Sequence, residues 1–194
     1  QTQLLEPKLG EKILEVGTGS GYQTAVLYYL KLNIFTIERN HNLFRITSKL
    51  FSKLNIRPKK FVYGDGYNGL SDNSPFDGII VTAGCPVIPK KLLSQLKIGG
   101  KMIIPVGKES QIMTKITRFG KTEFKKETFG NFKFVPMLKN KDSLLKFFLI
   151  LFKLILLSLS LITFLLSNSL LPFATEIFNL AIPFLLINSE VSPT

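Results

Sequence analysis

The stretch Ile13-Leu14-Glu15-Val16-Gly17-Thr18-Gly19-Ser20-Gly21-Tyr22 constrains this chain more than any other. Ile13, Leu14 and Val16 supply the bulk of a buried strand, and the three glycines make a turn whose backbone can approach a ligand where a Cβ would block it. Gln23 to Leu32 then reads as a helix. A strand entering a glycine turn that opens a helix is a ligand cradle. The N–H groups of the turn and the positive end of the helix dipole favour an anionic or electron-rich ligand edge.

The spacing narrows the ligand. A dinucleotide fingerprint, G-x-G-x-x-G, places its third glycine one residue later than Gly21, so a nicotinamide dinucleotide is the weaker reading. Two acidic residues answer the loop downstream. Asn33 to Glu38 is a short β-branched and aromatic run ending in an acid, and Glu38 lies 17 residues beyond Gly21. That is close to where a βαβ unit places the carboxylate that accepts hydrogen bonds from a ribose diol. The alternative is an exposed glutamate that caps the next helix. Lys60 to Tyr63 reads as a third strand delivering Gly64-Asp65-Gly66, where a carboxylate between two glycines can reach a nucleobase amino group. Taken alone, the same residues are an ordinary Asp-Gly turn.

The remaining pattern is that of an α/β sheet. Asn42 to Leu54 carries Leu43, Ile46, Leu50 and Leu54 at helical spacing with Lys49 and Lys53 opposite, a surface helix. His41, the one histidine, stands at its start without a companion ligand and reads as structural. Phe76 to Thr82 is nearly continuous apolar sequence, as in a parallel strand covered on both faces. Its exit, Ala83 to Pro89, lies where open α/β sheets bind ligands and is a candidate substrate wall. Lys90 to Leu96 reads as a helix stopped by Gly99 and Gly100, Met102 to Val106 as a fifth strand, and Thr114 to Phe119 and Phe132 to Val135 as two more.

Charge and cysteine content bound the function. Residues 1–143 hold 23 of the 25 Lys and Arg and 11 of the 13 Asp and Glu, so the whole net charge of +12 lies there. The lysines are spread rather than gathered in a stripe, which reads as a generally basic surface more readily than as a nucleic-acid interface. Cys85 is the only cysteine, which excludes an internal disulfide and a cysteine-based zinc site and suits a reducing cytoplasm. No metal site is expected. Gln1 to Gly10 lacks an apolar signal segment, and the missing initiator Met reads as a beginning cut within a helix.

The compact E-x-G-x-G-x-G form of Glu15 to Gly21 resembles motif I of the S-adenosylmethionine-dependent methyltransferases. With Thr36-Ile37-Glu38-Arg39, Gly64-Asp65-Gly66, Phe76 to Gly84, Gly99-Gly100, Ile104-Pro105-Val106-Gly107 and Phe134-Val135-Pro136-Met137, the likeness extends to the protein-L-isoaspartate O-methyltransferase family, over Gln1 to Lys141. The resemblance implies an α/β, Rossmann-like methyltransferase fold, mostly parallel with helices on both faces, and S-adenosyl-L-methionine as cofactor. It implies that Gly17, Thr18, Gly19, Ser20 and Gly21 hold the methionine end, Glu38 the ribose, and Asp65 with Gly66 the adenine, with Glu15 and Arg39 also among the cofactor-binding residues. Thr82, Ala83, Gly84, Pro86 and Val87 would border the substrate. The implied reaction methylates the α-carboxylate of L-isoaspartyl residues in damaged proteins; isoaspartyl-containing proteins and peptides are the expected partners, no nucleic acid is expected, and the chain is expected to be a monomer. The family's hydroxyl residue lies upstream of Gln1, and Thr2 does not match it, so no catalytic residue is carried over. Two alternatives stand beside this reading: a methyltransferase of a nucleic acid or small molecule, and a cofactor-binding inactive fragment.

Beyond Lys141 the likeness stops, which divides the chain into a domain at 1–141 and a hydrophobic tail at 142–194. Phe147 to Leu166 is twenty residues with one charge, Lys153, about enough to cross a ~30 Å hydrocarbon core. Such a tail would associate the domain with the membrane, and Lys139, Lys141 and Lys146 on its amino side would keep the domain in the cytoplasm. The competing reading is a frame-shifted end with no evolved structure.

Overall fold

The computed structural model describes residues 1–142, 152–155 and 157–158. Chain contacts divide it into Gln1–Asp142 and Ser143–Thr194. The proposed membrane segment at 147–166 falls largely outside the described residues, among which no helix is long and apolar enough to cross a membrane.

The first unit is one seven-stranded sheet with helices in its connections. In chain order it comprises α1 (Thr2–Leu5), β1 (Lys12–Val16), α2 (Tyr22–Tyr29), β2 (Asn33–Glu38), α3 (His41–Leu54), β3 (Lys60–Tyr63), β4 (Phe76–Val81), α4 (Lys90–Ser94), β5 (Leu96–Val106), β6 (Gln111–Arg118) and β7 (Phe124–Phe132). The strands lie in the order β3-β2-β1-β4-β5-β6-β7. The pairs from β3 to β5 are parallel, and β6 and β7 close the edge as an antiparallel hairpin.

Alternation along the buried strands builds two cores. Leu14, Val16, Ile79 and Val81 face one side with Leu92 of α4, while Ile13, Ile34 and Ile80 face the other with Leu27 of α2 and Leu5 of α1. The chain runs outward from β1 to β2 and β3, then returns to place β4 on the other side of β1. That reversal opens a crevice at the carboxyl ends of β1 and β4, the usual ligand position in such sheets.

Three expected elements differ. β5 starts at Leu96 and runs through Gly99 and Gly100, pairing Phe76 with Leu96 and then, after a register shift, Gly78 with Lys101. The last strand lies at Phe124–Phe132, not Phe132 to Val135, because β7 is an edge strand with mostly exposed side chains and so carries no apolar alternation. The apolar stripe of α3 faces outward apart from Leu43 at its start: Ile46 is 63% and Leu54 50% exposed, and the helix is anchored instead through Thr47 and Phe51.

Candidate cofactor site

The carboxyl ends of β1, β2 and β4 surround a cavity of about 350 Å³, within the ordinary size range of small-molecule sites. Val16, Gly17 and Gly19 form one side, Ile37, Glu38, Arg39, Asn40 and Leu43 a second, and Thr82 and Ala83 a third. Gly66 and the segment Val135 to Leu138 complete it.

Gly17 sits where the strand must turn without a side chain. Its φ is 95°, and a Cβ there would lie 2.5 Å from the Thr82 hydroxyl. The Gly17 amide donates to the Ile37 carbonyl at 2.9 Å, and the Thr82 hydroxyl donates toward the Gly17 carbonyl at 2.6 Å, also lying 3.0 Å from the Val16 carbonyl. Thr82 is thus a brace between the end of β4 and the glycine turn. The turn is held open against the cavity by β2 on one side and β4 on the other.

Glu38 is buried at the end of β2 and forms part of the cavity wall. One carboxylate oxygen accepts the Gly19 amide at 2.8 Å and the other the Asn40 amide at 2.7 Å. A carboxylate offers about four acceptor positions, so half remain for a ligand. Asn40, not Glu38, caps α3, accepting the Leu43 amide at 3.0 Å.

Glu15 lies beneath this layer and is fully buried. Thr24 and Thr36 both donate to its Oε2, the latter at 2.7 Å, and Thr18 shares a 2.6 Å hydroxyl contact with Thr36. Its other oxygen has no partner among the described residues. Burial pushes the Glu15 carboxyl up to about 7; the threonine hydrogen bonds oppose that shift and the nearby Glu38 charge adds to it. Glu15 and Thr18 support the turn from below, and neither lines the cavity.

Of the sequence-derived candidates, Gly17, Gly19, Glu38, Arg39, Gly66, Thr82 and Ala83 meet at the cavity. Ser20 is exposed, and Gly21 starts α2, packed against Thr47 and Phe51. Asp65 turns its carboxylate to backbone, accepting the Tyr67 amide at 2.9 Å and the Asn140 amide at 2.8 Å. Pro86 and Val87 are exposed beyond the wall.

Gly84 is buried and carries a wall that spacing alone did not reveal. Its amide donates to the Val135 carbonyl and its carbonyl accepts the Met137 amide, both at 2.8 Å, so the 135–138 segment is bridged to the end of β4. A Cβ on Gly84 would come within 2.8 Å of the buried Gln111 side chain, whose Oε1 accepts the Phe134 amide at 2.7 Å. The apolar run Phe134-Val135-Pro136-Met137, already part of the resemblance, was the available signal for this wall. Cys85 is packing: burial pushes its thiol up to about 12, and its sulfur contacts Met137 Sδ at 3.0 Å. His41 stacks edge-on against Tyr63 with ring centroids 5.2 Å apart.

This arrangement, a mostly parallel seven-stranded sheet with a glycine turn and an acid-ended second strand around one cavity, defines a Rossmann-like S-adenosylmethionine-dependent methyltransferase fold. The model of the protein-L-isoaspartate(D-aspartate) O-methyltransferase family matches residues 1–142. The chain belongs to that family, whose members are S-adenosylmethionine-dependent enzymes acting on isoaspartyl proteins. The protein-L-isoaspartate O-methyltransferase of Flavobacterium johnsoniae is 58% identical over 142 residues, covering 73% of this chain and 67% of that one. That of Cytophaga hutchinsonii is 45% identical over 138 residues, 71% of this chain and 62% of its own. A solved protein-L-isoaspartate O-methyltransferase superposes with a TM-score of 0.65 at 27% identity, covering 70% of this chain and 44% of that chain. A Plasmodium falciparum structure described as such an enzyme in complex with S-adenosyl-L-homocysteine gives 0.58 at 25% identity, over 71% and 69%. The chain thus spans about two thirds of the length of the first two curated relatives.

Proposed function

We propose that this chain transfers the methyl group of S-adenosylmethionine to the α-carboxylate of L-isoaspartyl residues in proteins. The observation that carries the reading is Glu38, a buried carboxylate on the cavity wall whose two oxygens are already fixed by Gly19 and Asn40. Its remaining acceptor positions suit a ribose diol. The cradle fits the rest of the cofactor: Gly17 and Gly19 offer bare backbone to the cavity, and Val16, Ile37, Leu43 and Met137 supply apolar contact. In this reading Gly17, Gly19 and Glu38 are direct ligands, Glu15 and Thr18 their supports, and Gly66 part of the adenine side.

When bound, the cofactor supplies an electrophilic methyl group on a sulfonium. The acceptor needs no help with its proton, because an α-carboxylate with pKa about 4 is ionised at neutral pH, and no general base is required of the protein. What the chain's residues must do is orient and exclude water. Thr82 and Ala83 belong to both the cavity and the loop after β4, so we assign them, with Gly84, to the side on which the peptide carboxylate approaches. The aliphatic wall Val135 to Leu138 limits water on that side. Alignment of this kind supplies roughly 7–11 kcal/mol in well-ordered reactions.

The same reading places the domain in the cytoplasm, in keeping with its single, buried Cys85. Titrating the full chain with S-adenosyl-L-homocysteine by calorimetry tests the cofactor assignment. One-to-one binding that Glu38→Ala weakens is expected; no binding by the unaltered chain contradicts the assignment.

A further inference from the structure

We propose that residues 134–142 form a strap across the cavity, hinged at Gly84 and latched by Arg39 and Asp142, and that the latch sets how fast the cofactor leaves. The proposal rests on the cofactor reading above.

The segment crosses the carboxyl ends of three strands in turn. It meets Gly84 after β4, Asp65 after β3 and Arg39 after β2. Between these anchors, Val135 to Leu138 line the cavity, so the strap is one of its walls.

The two ends are held differently. At the hinge, Phe134 is fixed by the buried Gln111, Met137 is buried, and its carbonyl accepts the Tyr67 hydroxyl at 3.1 Å in addition to the paired bonds at Gly84. At the latch, the Asn140 amide donates to Asp65 at 2.8 Å and its carbonyl accepts Arg39 Nε at 2.9 Å. The Asp142 amide donates to the Arg39 carbonyl at 3.0 Å, and the Arg39 guanidinium pairs with the Asp142 carboxylate. Those two side chains are 27% and 43% exposed, and Asn140 sits in the left-handed region with φ 62°.

A partly exposed ion pair is weak and screened by salt, whereas the hinge bonds are anchored on the buried residues Gly84, Gln111 and Met137. Opening therefore starts at the latch. Arg39 and Asp65, which the resemblance assigned to the cofactor directly, act here as positioning residues: they hold the wall that holds the ligand. Asp142 does not itself line the cavity and reaches it only through Arg39, so changing it tests the latch.

The test compares the unaltered full chain with Asp142→Asn in two measurements. Amide exchange without ligand should rise about two- to fivefold at Asn140 and Asp142, and not at Met137, the range expected for losing one exposed ion pair. Dissociation of S-adenosyl-L-homocysteine, followed by stopped flow, should accelerate by a similar factor, and 1 M salt should accelerate the unaltered chain while leaving the variant nearly unchanged. Equal exchange in the two proteins overturns the latch. Faster exchange with an unchanged dissociation rate overturns its control of the cofactor. If the unaltered chain binds no S-adenosyl-L-homocysteine, the cofactor reading and the claimed control of release both fail, and the exchange comparison still decides the latch itself.

Discussion

Glu38 accepts the Gly19 amide at 2.8 Å, so the acid that ends β2 and the turn that follows β1 are locked to each other before any ligand arrives. Removing the carboxylate unlocks the turn as well as removing a ligand contact. Glu38→Ala should weaken S-adenosyl-L-homocysteine binding by about 1–3 kcal/mol, roughly five-fold to a hundredfold, the cost of leaving a buried partner unsatisfied. Calorimetry reads it directly, and an unchanged affinity would remove Glu38 from the site.

Glu15 gives the fold a pH dependence of known sign. Its carboxyl titrates near 7 in the folded chain against 4.5 for the ordinary group, so the folded state keeps a proton that the unfolded state has lost. The contribution is fully present below the unfolded value and fades as pH rises through about 7. Glu15→Gln cannot ionise. Its stability relative to the unaltered chain should grow by on the order of 3 kcal/mol between pH 5 and pH 8. Parallel denaturant curves at the two pH values would show it, and a constant difference would mean that Glu15 stays ionised.

At Gly84, a side chain collides with Gln111, which holds the start of the wall through the Phe134 amide. Gly84→Val should destabilise the fold by about 1–3 kcal/mol through overpacking and loosen the 135–138 wall, weakening cofactor binding too. A variant with unchanged melting and affinity would show that the bridge to Pro136 is dispensable.

Thr82→Val keeps the shape of the brace and removes its hydroxyl. The Gly17 carbonyl then loses its 2.6 Å partner, at a cost of about 1–2 kcal/mol in stability. Thermal unfolding in the absence of cofactor isolates that loss, and no shift would mean that water replaces the hydroxyl.

The parts legible in the sequence are those with a local signal. β2 and β3 fall at Asn33–Glu38 and Lys60–Tyr63 as read, because both carry dense β-branched and aromatic sequence, even though β3 is an edge strand. Gly17, Gly19 and Glu38 meet at one cavity because motif spacing and the parallel crossover bring them there. β7 escaped because Phe124–Phe132 is an exposed edge whose lysines and glutamate hide the strand period. The outward stripe of α3 escaped for the opposite reason: helical spacing identifies an apolar face but not what lies opposite it. The wall at Val135 to Leu138 depends on Gly84 and Gln111, which are distant in sequence, and Asp65 turns to Asn140 for the same long-range reason.

The domain boundary is testable in the same terms. Asp142 pairs with Arg39 and belongs to the first unit. A fragment ending at Asp142 is expected to unfold in one cooperative transition, whereas one ending at Lys141 should melt slightly lower. Loss of cooperativity in the longer fragment would mean that residues beyond 142 complete the core.

The central claim is tested most directly by methyl transfer from radiolabelled S-adenosylmethionine to a peptide containing one L-isoaspartyl residue, beside its twin with a normal aspartyl residue. The account predicts base-labile label in the isoaspartyl peptide alone, as expected of a carboxyl methyl ester. Equal labelling of the twins, or cofactor binding with no label in either, would contradict it.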